Sequence, residues 1–232
     1  MLLTDHLEEL RRRALVVIVC LFVFSCVGFY FAQDILRWLK YPAGGLIGPL
    51  TVFSPTAAIL TFFKISMAFG FIFSLPVLLC ELWGFIRPAL SDRWSRIGFL
   101  FIFGGTLLFL TGALFCFFVL VPASLKFLLS IGRGELQFII SLEAYTSFVL
   151  TLTLAGGIVF EMPLAVFVLA KVGILTASRM IRAWRIALVA ILVGAAILTP
   201  TPDVVNMILM AIPMILLYLV SVGVAHVAAR RR

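Results

Sequence analysis

The sequence predicts an all-α integral membrane protein with six transmembrane helices, forming a single membrane domain over residues 1–232. Of the 232 residues, 64% are apolar and 12% are charged, whereas soluble domains are about half apolar and a quarter charged. A globule of this size could not hide that much apolar surface. The apolar residues form long uncharged runs rather than short alternating segments, which favours helices over a barrel.

Each long apolar run predicts one span. The first follows three arginines, but its length and the lack of an A-x-A cleavage site favour a retained helix over a secretory signal. The fifth corresponds to ~22 Å of helix, short of a ~30 Å hydrocarbon core. The segments GFIFSLP and GIVFEMP, in the second and fourth spans, each contain a proline that is expected to kink its helix. The predicted spans cover residues 14–33, 57–82, 97–121, 145–170, 185–199 and 204–225.

The positive charges predict the orientation of these spans. Most of the 18 Lys and Arg residues fall near the two termini and in the loops after the second and fourth spans. Since Lys and Arg accumulate in cytoplasmic segments, both termini are expected in the cytoplasm. The net charge of +8 is therefore attributed to membrane topology, and no nucleic acid is expected as a partner.

Polar residues inside the spans are candidates for function. Glu161 lies two residues before Pro163, and a charge at such a depth costs a few kcal/mol. Because Pro163 cannot donate a hydrogen bond to the carbonyl of Val159, the two residues are expected to form a polar notch. The notch could receive a polar group of a partner helix or hold a proton, or Glu161 could be a purely structural acid. Lys64 and Thr199 are further candidates for partner contacts, although Lys64 could equally snorkel to the interface.

The N-terminal segment LTDHLEELRRR predicts a short amphipathic helix at the cytoplasmic interface. Glu8 and Arg12, and likewise Glu9 and Arg13, are i,i+4 pairs that would stabilise such a helix. Glu8 and Glu9 could instead present carboxylates to a cationic ligand, for which bidentate binding of arginine is favourable.

Two loops and one further acid complete the set of candidates. The loop RPALSDRWSR (residues 87–96) faces the cytoplasm in this orientation, and Asp92 is its one acid. The segment TPTPD joins the last two spans on the outer side, where Asp203 can cap the sixth helix. Glu81 lies near the inner end of the second span, where its side chain can simply reach the interface.

Signals of catalysis are weak. The two histidines, His6 and His226, lie at opposite ends of the chain, and no H-E-x-x-H, G-x-S-x-G or P-loop motif occurs. The four cysteines form no CxxC pair. The sequence therefore predicts no enzymatic activity, no metal site, no cofactor and no disulfide.

Four motifs occur in order within the predicted spans and loops: HLEELR at 6–11, FIRPAL at 85–90, FEMP at 160–163 and TPD at 201–203. On these motifs the chain resembles, over nearly its whole length, the TatC family, the multispanning subunit of the twin-arginine protein translocase. The resemblance implies a tilted, concave six-helix bundle whose last two helices are short. It also implies a receptor for twin-arginine signal peptides in a prokaryotic cytoplasmic membrane, which assembles with TatA, TatB and copies of itself to export folded proteins using the proton-motive force.

The resemblance implies roles for individual residues. Glu9 matches the N-terminal acid that contacts the twin arginines, and Glu161 matches the intramembrane acid. The implied groups are Glu8, Glu9, Arg11, Phe85, Pro88 and Asp92 for signal-peptide binding; Glu161, Pro163, Lys64 and Thr199 for intramembrane and partner contacts; and Pro42 and Asp203 in the outer loops.

Two positions depart from the family pattern. The family usually places a glutamate nine residues beyond the phenylalanine of FIRPAL, but here that position is Trp94. Asp92 is the nearby acid and is expected to supply the second negative charge, together with Glu9 and Glu8. Met207 stands where the family often has a polar residue, so part of the expected polar face is absent.

Two other functions fit the residues. One is an ion-coupled small-solute carrier with Glu161 as its proton site, because internal repeats and broken helices are typical of carriers. The other is a passive assembly scaffold, which would bind partner helices without discriminating among arginine peptides.

Overall fold

The computed structural model describes residues 3–89, 98–131, 139–201 and 203–230, which are helical over most of their length. This confirms the predicted all-α class. The chain divides into two compact units, Met1–Lys40 with Val52–Leu107 and Tyr41–Thr51 with Leu108–Arg232. The helices are α1 (Leu3–Tyr30), α2 (Ala32–Leu39), α3 (Pro55–Ile86), α4 (Gly98–Phe115), α5 (Val121–Ser130), α6 (Leu142–Phe160), α7 (Met162–Val172), α8 (Ala177–Arg182), α9 (Trp184–Leu198) and α10 (Val204–Arg230).

Among the described residues, five segments are long and apolar enough to cross a membrane, and α9 is a shorter apolar helix. The third predicted span continues beyond residue 121, because one turn of π-helix joins α4 to α5. The short fifth span is confirmed, since α9 has 15 residues. The expectation of a short sixth helix is wrong, because α10 has 27 residues and stays apolar to Ala228.

The N-terminal charged residues belong to the same helix as the first span, not to a separate short helix as their charge pattern predicts. α1 is one continuous helix of 28 residues. No proline or glycine interrupts the chain before Gly28, and the arginines at positions 11–13 are good helix formers. Glu9 therefore lies on the same helix as the apolar residues that follow it.

α3 packs against α1 in the first unit. It begins at Ser54, whose side chain accepts a hydrogen bond from the backbone N–H of Ala57 at 3.2 Å, and a proline occupies the first helical position. The helix continues through Pro76 to its end at Ile86, so this proline does not divide it. Continuity of α3 keeps Glu81 beside α1.

The fourth predicted span, in contrast, is divided. α6 ends at Phe160, α7 begins at Met162, and Glu161 is the residue between them. Pro163 lies in the first turn of α7, where its missing N–H costs little because that donor would have no partner within the helix. The expected disturbance near Pro163 is confirmed.

Glycines allow α4 and α6 to approach closely within the second unit. A Cβ atom on Gly156 would lie 2.9 Å from Cβ of Cys116 and 3.0 Å from the carbonyl oxygen of Gly112. A Cβ atom on Gly112 would lie 2.6 Å from the carbonyl oxygen of Gly156. Only glycine fits at these positions without a shift of the backbone. The contact fixes α6 one turn before Glu161.

α10 is held against α7 and α8. Lys171 is buried, and its Nζ donates a hydrogen bond to the carbonyl oxygen of Ala228 at 2.5 Å. The hydroxyl of Tyr218 donates to the carbonyl oxygen of Met180 at 2.7 Å. These polar contacts flank an apolar cluster made of Val166, Ala170, Ala177, Met180, Ala225 and Ala228.

Candidate functional site

Arg13 on α1 joins two carboxylates. Its Nε and Nη2 donate to Oε1 of Glu9 at 3.1 and 2.7 Å. Its Nη1 donates to Oε2 of Glu81 at 2.8 Å and to the main-chain oxygen of Glu81 at 3.4 Å. The expected Glu9–Arg13 pair is confirmed. Glu81 has a partner that the sequence did not predict, because continuous α3 places its carboxylate against Arg13.

This cluster of Glu9, Arg13 and Glu81, here called the acid–arginine cluster, carries one negative charge in excess when all three groups are ionised. The three side chains are 26%, 20% and 24% exposed, so each is partly buried yet still reached by solvent. Partly buried charges are screened less than fully exposed ones. The cluster is therefore suited to attract one further cation.

An open groove between α1 and α3 lies beside the acid–arginine cluster. Its volume is about 300 Å³, and Arg13 and Glu81 form part of its wall. The rest of the wall is apolar and consists of Leu10, Ala14, Val17 and Ile18 from α1 and Leu78, Leu82 and Phe85 from α3. The groove thus combines charged groups with an apolar surface on two continuous helices.

The other residues expected to bind a signal peptide have different positions. Glu8 and Arg11 are exposed on α1, and Phe85 lines the groove. Pro88 is exposed in the 3₁₀ turn Arg87–Ala89. Asp92 lies outside the described residues. The structure therefore brings Phe85 to the same groove as Arg13 and Glu81.

The second expected ion pair of α1 is not formed. Within the part of the chain that the structure describes, no salt bridge joins Glu8 to Arg12. Both residues are exposed, and an exposed i,i+4 pair contributes only about 0.3–0.5 kcal/mol. Arg13 differs from Arg12 because it faces α3, where Glu81 offers a second acceptor.

Glu161 forms the centre of the expected polar notch. Both of its carboxylate oxygens are buried, and neither accepts a hydrogen bond within the described ranges. Pro163 is buried beside it. The hydroxyls of Thr146 and Thr153 on α6 are also buried without a partner in the same ranges. Residues seven or eight apart lie on one face of a helix, so these three residues mark one polar line along the fourth span.

The outer-loop acid caps α10 as predicted. Asp203 Oδ1 accepts a hydrogen bond from the backbone N–H of Asn206 at 2.7 Å, and Oδ2 accepts one from Asn206 Nδ2 at 2.8 Å. Burial acts to raise the pKa of the Asp203 carboxyl. The hydrogen bonds from Asn206, Thr201 and the backbone of Val205 outweigh burial and bring that pKa below its usual value.

Three further candidate residues are Thr199, Lys64 and Pro42. Thr199 is buried, and its hydroxyl donates to the carbonyl oxygen of Ala195 at 2.9 Å. Lys64 is exposed on α3, and Pro42 is buried in the 3₁₀ segment Tyr41–Leu46. Lys64 belongs to the first unit, whereas Thr199 belongs to the second with Glu161.

Metal-ligating residues are scattered. Across residues 3–89, 98–131, 139–201 and 203–230, no three His, Cys, Asp or Glu side chains lie close enough to hold a metal ion. The four cysteines, Cys20, Cys26, Cys80 and Cys116, carry free thiols.

Comparison with known proteins decides the family. Residues 5–213 match the family model described as Sec-independent protein translocase protein (TatC). The chain belongs to the TatC family. It is 40% identical over 239 residues to the Sec-independent protein translocase protein TatC of Aquifex aeolicus, covering 99% of this chain and 97% of that protein. It is 34% identical to TatCd of Bacillus subtilis, covering 99% and 93% of the two chains.

A solved structure agrees with this assignment. The crystal structure of the twin arginine translocase receptor TatC matches with a TM-score of 0.87 at 38% identity, covering 97% of this chain and 100% of that chain. The TatC resemblance and the six-helix membrane bundle are thereby confirmed. The family is a component of a protein translocase, so its role is transport rather than catalysis.

The link between Arg13 and Glu81 was not predicted from sequence, nor were the buried hydroxyls of Thr146 and Thr153, which have no hydrogen-bond partner among the described residues. A signal for the first was present, because Glu81 is a charged residue within an apolar run and Gly84 follows it by three positions. A glycine there leaves room for a side chain from a neighbouring helix. No comparable signal marks the threonines, since a threonine in a helix commonly bonds its own backbone.

Proposed function

We propose that this chain is the core receptor subunit of a twin-arginine translocase in the cytoplasmic membrane of a prokaryote. It binds twin-arginine signal peptides at the cytoplasmic face. It then assembles with TatA- and TatB-type single-span proteins, and with further copies of itself, to export folded proteins using the proton-motive force. Membership of the TatC family and the match to a translocase receptor at 38% identity support this proposal.

The observation that carries the proposal is the acid–arginine cluster. Oε1 of Glu9 already accepts two hydrogen bonds from one guanidinium in this structure, so this carboxylate lies where a guanidinium can reach it. Lysine carries the same charge but lacks the planar fork. Binding at Glu9 would therefore favour arginine over lysine, which is the discrimination that a twin-arginine receptor requires.

The surroundings of Glu9 suit the remainder of a signal peptide. The groove offers an apolar wall, including Phe85, to the apolar stretch of the peptide. Two arginines require more than one acid, and Asp92 and Glu8 are assigned to the second arginine. Arg11 and Pro88 border this region in the sequence and complete the proposed site.

The polar line through Glu161 is proposed as the contact for a partner helix. An acid whose buried oxygens accept no hydrogen bond in the described chain can gain one from a polar group of another helix. Interhelical hydrogen bonds contribute about 0.6–2 kcal/mol in membranes. Pro163 supports the contact by dividing the helix at this point, and Lys64 and Thr199 are proposed as additional polar contacts. TatA- and TatB-type proteins are the proposed partners.

Peptide binding to the purified protein tests the receptor function. We would measure the affinity of a twin-arginine signal peptide and of its twin-lysine version for the wild type, Glu9→Ala and Asp92→Ala. A clear preference for arginine that Glu9→Ala abolishes is expected. Equal weak binding of both peptides, unchanged in Glu9→Ala, would contradict the proposal. A loss in Asp92→Ala would assign the second acid, and an unchanged affinity would exclude Asp92 from that role.

An ion-coupled carrier is the second candidate, because a buried acid at a break between two helices also suits a proton site. The two functions make different predictions for the purified chain in vesicles. A carrier would move a small solute when a proton gradient is applied, and Glu161→Gln would stop that flux. A translocase receptor would show no such flux without its partners.

A further inference from the structure

We propose that Arg13 is an internal competitor for the carboxylate of Glu9, and that Glu81 retains Arg13 when a peptide arginine replaces it. This inference rests on the proposed function, because it takes Glu9 as the group that binds the peptide. It adds a regulating residue and a retaining residue to the site. Both act through Glu9 rather than by touching the peptide.

The hydrogen bonds of Arg13 divide into two separate sets. The Nε and Nη2 edge serves Glu9, while Nη1 serves both the carboxylate and the main-chain oxygen of Glu81. Arg13 can therefore release Glu9 and keep its bonds to Glu81. Oε1 of Glu9 can then accept the same two hydrogen bonds from a peptide guanidinium.

The packing around Arg13 allows this movement. A Cβ atom on Gly84 would lie 2.8 Å from Cζ and 2.9 Å from Nη2 of Arg13, so the guanidinium lies directly over this glycine. The groove opens beside Arg13, whose side chain is 20% exposed. A peptide side chain can thus approach without separating α1 from α3.

The exchange sets how tightly the site binds a peptide cation. When a peptide arginine displaces Arg13, one pair of hydrogen bonds is lost at Glu9 and an equivalent pair is formed. When a peptide lysine displaces Arg13, the pair is lost and only a point-charge contact replaces it. Releasing Glu9 from Arg13 costs the same free energy for both peptides, so competition from Arg13 lowers both affinities by the same factor. The preference for arginine then comes from the contact that the peptide itself makes with Glu9.

The test measures affinities of twin-arginine and twin-lysine peptides for the wild type, Arg13→Ala, Glu81→Gln and the double variant. Arg13→Ala should strengthen binding of both peptides by about tenfold and leave the preference for arginine unchanged. Arg12→Ala is the matched control, because it removes one positive charge from the neighbouring exposed position. This control should strengthen binding of both peptides by a much smaller factor than Arg13→Ala does.

Glu81→Gln should weaken binding of the arginine peptide in the wild-type background, because Arg13 then loses the carboxylate that retains it. The same substitution should have a much smaller effect when Arg13 is already alanine. An equal loss in both backgrounds would show that Glu81 touches the peptide directly, and would overturn its retaining role.

Other outcomes separate this inference from the proposed function. If Arg13→Ala weakens both peptides alike, Arg13 orients Glu9 and the competition is refuted. If the wild-type preference is lost in Glu9→Ala but Arg13→Ala binds the peptides no more tightly than Arg12→Ala does, the competition is overturned and the receptor function stands. If the wild type shows no preference and Glu9→Ala has no effect, both the competition and the receptor function are refuted. If Arg13→Ala does not fold, Gly84→Ala displaces the guanidinium without changing any charge and should also strengthen binding of both peptides. Unchanged affinities in Gly84→Ala would refute the inference.

Discussion

The unpartnered acid at the break of the fourth span should cost the isolated protein stability. Both oxygens of Glu161 are buried without a hydrogen-bond partner in the described chain. A buried polar group in this state costs about 1–3 kcal/mol. Methionine is similar in length and volume and has no such requirement, so Glu161→Met should raise the free energy of unfolding by about 1–3 kcal/mol. For a chain of this length each kcal/mol shifts Tm by about 2–4 °C, so a rise of roughly 2–12 °C is expected.

Two assays on the same variant check this reasoning. Thermal unfolding of the purified protein in detergent reports stability, and co-purification of TatA- or TatB-type proteins reports partner binding. Stability should rise while co-purification falls. Glu143→Met is the matched control, because Glu143 lies in the first turn of α6, where the helix dipole favours an acid. That control should lower stability by about 0.3–1 kcal/mol and leave co-purification unchanged. A fall in Tm for Glu161→Met, or intact co-purification, would refute the argument.

Two further predictions concern Asp203 and Gly156. Asp203→Ala should lower the free energy of unfolding by about 1 kcal/mol at neutral pH through loss of the cap on α10. The folded-state pKa of Asp203 lies below its unfolded value of about 3.9. The contribution of Asp203 to the free energy of unfolding is therefore complete above pH 4 and is lost as pH falls through the folded-state pKa. The Tm difference between the wild type and Asp203→Ala should vanish in acid. A Tm difference that grew as pH fell would contradict the assignment of Asp203 as the cap. Gly156→Ala should destabilise by about 1–3 kcal/mol, because its Cβ would lie 2.9 Å from Cβ of Cys116. Gly223→Ala is the control, because the added Cβ would meet open space, and it should raise the free energy of unfolding by about 1 kcal/mol. Equal effects of Gly156→Ala and Gly223→Ala on Tm would be inconsistent with the close approach of α4 and α6.

The fold was accessible from sequence because the bilayer constrains it so strongly. Every apolar run predicted as a span is helical over most of its length, and the short fifth span is correct to one residue at each end. The disturbance near Pro163 was accessible for a different reason, since proline acts locally on the backbone. Pro76 lies in the matching segment GFIFSLP but leaves α3 undivided. A proline is tolerated inside a membrane helix when neighbouring groups bond the backbone carbonyl that it leaves without a donor.

The candidate site was only partly accessible. Glu9 was found from its motif, and its pairing with Arg13 follows from helical spacing. The link to Glu81 was missed because it joins residues 68 positions apart, and a single sequence carries no direct signal of such a contact. The lack of a hydrogen-bond partner for Glu161 among the described residues was also inaccessible, because it depends on which of their side chains reach it in the folded chain.

Under the proposed receptor function, the continuity of α1 limits which peptides can bind. Glu9 and the groove residue Ile18 lie on one helix, nine residues apart, which corresponds to about 13 Å along its axis. An extended peptide covers that distance with about four residues. Binding would therefore depend on the length of the peptide's spacer as well as on its charge. A long spacer between the arginines and the apolar stretch would leave either the Glu9 carboxylate or the groove wall without a contact. A hinge between Glu9 and the span would have removed this constraint.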